Sequence, residues 1–215
     1  MTEPTPDNYF YSASFNIAME TLYLAALFCL ISFAALAMID GFYLHIWKYR
    51  LYLHKESEIE HFMHTVRAII FPGIVYFFFL QSNNNTAFTV GLILVGLDIL
   101  VLAADAYLEK DSRAFMGGLP RWEYILHLFA NGFHFATIIL FLVVKTSVTS
   151  SALVIIPTVP SGIFHNIFFE LVKQTLPGSI GLAIIHVAVM LTPFQQMFHR
   201  LQQCCGNHTT VSENG

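Results

Sequence analysis

Carboxylates and imidazoles recur at helical spacing inside otherwise apolar runs of this 215-residue chain. Glu60, His64 and Arg67 fall on one stripe, Asp98, Asp105 and Glu109 on a second, and Glu123, His127, Asn131 and His134 on a third, because residues three, four and seven apart share a helical face. Asp40 and His45 close the first apolar run, Glu58, Glu60, His61 and His64 open the second, Asp105 and Glu109 close the third, and Glu123 and His127 open the fourth. An ionisable side chain inside a bilayer costs at least about 2.5 kcal/mol, so each of these needs a partner or a purpose. Oxygen and imidazole donors meeting at one depth suit a hard or borderline divalent cation: the carboxylates balance its charge and neutral nitrogens complete the shell. The ligand candidates are Asp40, Glu60, His64, Asp105, Glu109, Glu123 and His127, with His45, His61, Asp98 and His134 in reserve around them. So many anionic donors favour two ions screened from each other by bridging carboxylates, and a shell without cysteine favours iron or manganese over zinc.

The arrangement resembles the di-metal carboxylate bundles, in which two helices give a Glu and two give Glu-x-x-His. Glu58-Ile59-Glu60-His61 contains Glu-x-x-His, whereas Glu123-Tyr124-Ile125-Leu126-His127 has one residue more, so the resemblance is one of chemistry. Desaturase-like histidine boxes are not matched, since His61-Phe62-Met63-His64 has no His-His pair. The competing chemistry is b-type haem, with two histidines from different helices on one iron. Helical rise of ~1.5 Å per residue puts His134 roughly 18 Å inside Trp122 and His186 at the same depth from Phe198. His134 with His186 would then hold one haem, and His64 with His127, or His127 with His199, another. A third reading is a metal-free proton-coupled carrier or scaffold.

Positioning these groups requires membrane-spanning helices. The chain is 56% hydrophobic and 11% charged, against roughly 25% charged in soluble domains. A bilayer core needs about 20 apolar residues per helix. Five spans are expected, at 17–39, 62–81, 87–107, 122–144 and 180–198, in a single membrane domain between an N-terminal tail (1–16) and a C-terminal tail (201–215). The fold class is therefore all-α integral membrane protein, five transmembrane helices around a four-helix core. Pro157, Pro160 and Gly162 argue against a further continuous helix, so 147–173 is expected as a short external re-entrant or interfacial segment with Ile163, Ile167, Phe168 and Leu171 on its buried face. Lys48, Arg50, Lys55, Arg67, Lys110, Arg113, Arg121 and Arg200 fall on one side and Lys145 and Lys173 on the other, which makes the first side cytoplasmic and the N-terminus external. A cytoplasmic (inner) membrane is the expected location.

Simpler roles compete for several residues. Ser57-Glu58-Ile59-Glu60 fits a capping box, Glu123 lies in a first helical turn where the dipole favours an acid, and Asp40 and Glu109 could pair with Lys48, Arg50 or Lys110. His45, His54 and His199 fall at or beyond the interface and read as surface residues, Glu20 as an interfacial anchor, and Phe77-Phe78-Phe79 as packing or lipid-facing surface. A formal net charge of -4 provides no basic field for a nucleic-acid backbone. The three cysteines, Cys29, Cys204 and Cys205, make no disulfide scaffold. The sequence thus points to a membrane metalloprotein, an enzyme oxidising or hydrolysing a membrane lipid or a quinone at a dinuclear Asp/Glu/His centre near the cytoplasmic leaflet.

Overall fold

The computed structural model describes residues 6–148, 153–156, 162–191, 193–197 and 200, and within these the side chains of 6–13, 109–111, 116, 148 and 153 lie outside the description. Five helices among the described residues are long and apolar enough to cross a membrane. Helix α1 (Pro6–Ala37) continues as a π-helical stretch, Met38–Lys48. Two short turns, Leu51–Leu53 and Lys55–Ser57, lead into α2 (Glu58–Gly73), which is extended by a second π-helical stretch, Ile74–Leu80. Helix α3 (Asn85–Ser112) follows the tight polar turn at Ser82-Asn83-Asn84, and α4 (Arg121–Lys145) follows the Gly117-Gly118 break. A two-stranded hairpin, β1 (Thr146–Val148) with β2 (Leu153–Ile155), pairs antiparallel with Thr146 opposite Ile155. Helix α5 (Ile163–Val189) completes the bundle.

Packing follows the apolar stripes. Helix α1 lies along α4 and α5, and α2 lies along α3 and α5. At the end of the bundle formed by the close of α2, the start of α3, the close of α4 and the start of α5, Phe78, Phe79, Phe88, Phe141 and Phe168 interlock with ring centroids 4.9–5.8 Å apart. These rings are buried, so Phe78 and Phe79 of the Phe-rich run are packing core, with Phe77 half-buried. The helices approach closely there: a Cβ on Gly91 would stand 2.6 Å from the Phe78 backbone. Large apolar side chains such as Ile17, Phe28, Leu100 and Ile139 point outward, as expected where lipid replaces water.

The fifth span differs from the sequence-based expectation. It runs from Ile163 to Val189 as one helix, so the residues expected as a separate external helix form its first turns, and after Leu191 only a short helical stretch at 193–197 is described. The physical reason is twofold. Gly162 is extended at the N-cap, and the Glu20 carboxylate accepts from the backbone N–H of Phe164 (2.8 Å) and His165 (3.4 Å), satisfying donors that a helix start leaves open. Pro177 lies inside the helix, where it removes one backbone bond without ending a helix that is packed on its neighbours. Glu20, expected as an interfacial anchor, is therefore the cap of α5. Glu170 and Lys173, both exposed on this helix, neutralise each other at 2.6 Å.

Candidate metal centre

The end of the bundle opposite the aromatic plug collects the ionisable groups. Its geometry begins with the π-helical stretch of the first span, where Tyr49 N–H bonds to Leu44 O, five residues back. In a regular α-helix residues five apart diverge by about 140° at 3.6 residues per turn, but i→i+5 bonding brings them onto one face. Asp40 and His45 consequently point the same way, and His45 Nε2 lies 3.3 Å from Asp40 Oδ1. His45 is fully buried, a correction to its expected surface position.

From α4, His127 Nε2 lies 2.8 Å from the same Asp40 Oδ1. From α2 and α3, His64 Nε2 lies 3.1 Å from Asp105 Oδ2. The His45 and His64 rings meet edge to face with centroids 4.1 Å apart, and the His45 and His127 centroids are 5.8 Å apart. Glu60 and Glu123 are both fully buried, each with Oε1 3.9 Å from His45 Nε2. Two groups here have donor atoms within 4.8 Å of one another, Asp40 with His45, Glu123 and His127, and His45 with Glu60 and His64. Ligand atoms about 2.1 Å from a common ion are separated by roughly 3 Å, the spacing that Asp40 keeps to His45 and His127.

The capping-box reading of Glu60 is not what the fold uses. Ser57 makes no side-chain cap bond. Its hydroxyl donates to Ser112 O at 2.7 Å, and Glu60 accepts from Ser112 Oγ. Glu123, likewise, does more than complement a helix dipole, because Arg113 Nη2 reaches its Oε1 at 2.6 Å. Arg113 Nη2 also lies 2.9 Å from Glu60 Oε1 and 3.1 Å from His45 Nε2. By sequence alone Arg113 is only a marker of orientation. It enters the bundle because Gly117 and Gly118 adopt positive φ (81° and 108°) and Gly118 N–H bonds back to Arg113 O. The signal that could have found it is charge balance: four carboxylates at one depth call for a fixed cation, and Arg113 directly follows α3.

Beside the centre opens a cavity of about 550 Å³ whose wall includes Asp40, His64, Asp105 and His127 together with Phe33, Phe71, Leu102, Leu128 and Leu182. Deeper along it, Arg67 Nε lies 3.1 Å from Asp98 Oδ1, Arg67 Nη2 donates to Asn131 Oδ1 at 3.1 Å, and His134 Nε2 lies 3.1 Å from Asp98 Oδ2. His61 stacks on His186 with centroids 5.5 Å apart, and neither belongs to the two donor groups defined above. Among the histidines of the haem reading, His134 lies against Asp98, His64 against Asp105 and His127 against Asp40, whereas His186 stacks on His61 and its Nδ1 has no hydrogen-bond partner. His54 stacks on Phe115. The Glu109 side chain and all of His199 lie outside the described residues.

The Asp105 Oδ1 atom is buried without a hydrogen-bond partner while its side chain lines the cavity. A buried carboxylate oxygen without a partner is costly unless a cation or a water completes it. The chain is therefore a membrane-like helical bundle with a buried His/Asp/Glu cluster that could hold a metal. Comparison with protein-family models, with curated proteins and with solved structures finds no match.

Proposed function

We propose that this protein is an integral membrane metalloenzyme whose Asp/Glu/His centre acts on a lipid-soluble substrate admitted to the adjoining cavity. The observation that carries the reading is the convergence of Asp40, His45, Glu123 and His127, and of His45, Glu60 and His64, each set within 4.8 Å. Asp40, Glu60, Asp105 and Glu123 are buried there; Arg113 pairs with Glu60 and Glu123, and a bound cation would balance the carboxylates Asp40 and Asp105 that line the cavity. Bound iron or manganese would supply oxidative chemistry, and zinc would supply hydrolysis through a bound water of lowered pKa; the oxygen-rich donor set favours the former. The protein's own contribution is to orient the donors, to exclude water behind them, and to offer an apolar wall of Phe33, Phe71, Leu102 and Leu128 to an acyl or isoprenoid chain. The inner-leaflet side follows from the Lys and Arg distribution.

Elemental analysis of the detergent-purified chain tests the reading. Wild-type protein is expected to carry stoichiometric transition metal, and Asp40→Ala and His127→Ala are each expected to lose most of it while keeping their helical content. Metal-free wild-type protein that also fails to take up added ion would end the proposal. In that event the pairs Asp105 with His64 and Asp40 with His127, both on the cavity wall, favour the second reading, proton transfer through an unmetallated bundle.

A further inference from the structure

We propose that Arg113 is the second cation of this centre, so that the protein holds one metal ion where its donor set has room for two. The inference rests on the metal-binding reading above and narrows its stoichiometry. A single nitrogen, Arg113 Nη2, lies 2.6 Å from Glu123 Oε1, 2.9 Å from Glu60 Oε1 and 3.1 Å from His45 Nε2. Three residues drawn from both metal-capable groups therefore spend donor atoms on one guanidinium. A guanidinium only donates, so His45 Nε2 must accept from it, giving up the lone pair a metal would use.

Burial points the same way. Arg113 is fully buried, and its Nε and Nη1 have no hydrogen-bond partner. Its place in the protein is thus explained by charge rather than by a completed hydrogen-bond network. Because arginine does not deprotonate in proteins, this positive charge is permanent and cannot exchange with solvent, unlike an ion. The remaining donors lie on the other side of the cluster: Asp40 with His127 at 2.8 Å, and His64 with an Asp105 whose Oδ1 is unpaired. Those four residues line the cavity, whereas His45, Glu60, Arg113 and Glu123 do not. The single ion accordingly sits at the cavity edge on Asp40 and His127, where a substrate can reach it, and Arg113 neutralises Glu60 and Glu123 behind it.

Titration of metal-stripped full-length protein in detergent with Co²⁺, followed by its visible absorption and by elemental analysis, decides the matter. Wild type and Arg113→Lys are expected to bind one equivalent, and Arg113→Gln, with Glu60 and Glu123 released, two. Two equivalents in wild type or Arg113→Lys would overturn the inference, as would one equivalent in an Arg113→Gln protein of unchanged helicity and elution volume. Should Arg113→Gln not fold, X-ray absorption of the Co²⁺-loaded wild type serves instead: a metal–metal vector near the ~3.5–4 Å of two-metal sites overturns the inference and its absence supports it. Wild type that binds no Co²⁺ at all removes the metal-binding reading itself, an outcome distinct from binding two.

Discussion

At the scale of single residues, the polar set deep in the cavity shows how this fold tolerates charge at membrane depth. Asp98 is buried, and it is satisfied from two helices at once, by Arg67 and by His134, while Asn131 takes a second Arg67 donor. Removing one partner of a buried ion pair strands the other, whereas removing both is far cheaper. Arg67→Met is therefore expected to destabilise the protein by about 3 kcal/mol, and the double variant Arg67→Met, Asp98→Asn to recover at least half of that loss. Thermal unfolding of the single and double variants in the same detergent measures the coupling. Strictly additive losses would show that the pair is not the unit described here.

At the scale of elements, the π-helical stretch Met38–Lys48 puts Asp40 and His45 on one face, so that Asp40 meets His127 at the cavity while His45 meets Arg113 behind it. Inserting one alanine after Tyr43, an exposed residue of that stretch, would set Asp40 and His45 six residues apart and turn them about 120° from a common face at 3.6 residues per turn, so that the two could no longer both point into the site. The expected result is a protein that still enters membranes and keeps its helical circular dichroism but has lost most of its bound metal. Retention of full metal content would mean that π-helical geometry does not position the donors. The second π-helical stretch, Ile74–Leu80, follows Pro72, and Gln81 N–H bonds five residues back to Tyr76 O. There the widened turn presents Phe78 and Phe79 to the aromatic plug.

At the scale of the whole molecule, the two ends of the bundle are built from opposite materials. One is closed by interlocked phenylalanines and the Glu20 cap of α5, the other by carboxylates, imidazoles and Arg113, with the cavity beside the latter. The Lys and Arg asymmetry predicts that the turn at Ser82-Asn83-Asn84 and the turn around Phe115 lie on opposite sides of the membrane, the latter facing the cytoplasm. Single cysteines at Asn84 and Phe115, in a background lacking the three native cysteines, test this in intact cells with a membrane-impermeant maleimide. Asn84→Cys is expected to label and Phe115→Cys to label only after lysis. The reverse pattern would invert the topology.

Much of the architecture was legible in the amino-acid order because lipid imposes blunt rules. Hydrophobic length marked five helices long and apolar enough to cross a membrane, and the need to bury carboxylates turned the stripes of Glu60 and His64, of Asp98 and Asp105, and of Glu123, His127 and His134 toward one interior. Those are consequences of composition and period, which neighbouring helices do not alter. Three features depended on tertiary structure. The start of α5 required Glu20, 144 residues away from Phe164, to cap it; the burial of His45 required a local change of helical pitch that no 3.6-residue pattern reveals; and the role of Arg113 required a glycine turn to fold its side chain back among acids from other helices. Periodicity is a property of one helix at a time, whereas a cap, a pitch change and a counter-ion are settled by what the next helix brings within a few ångströms.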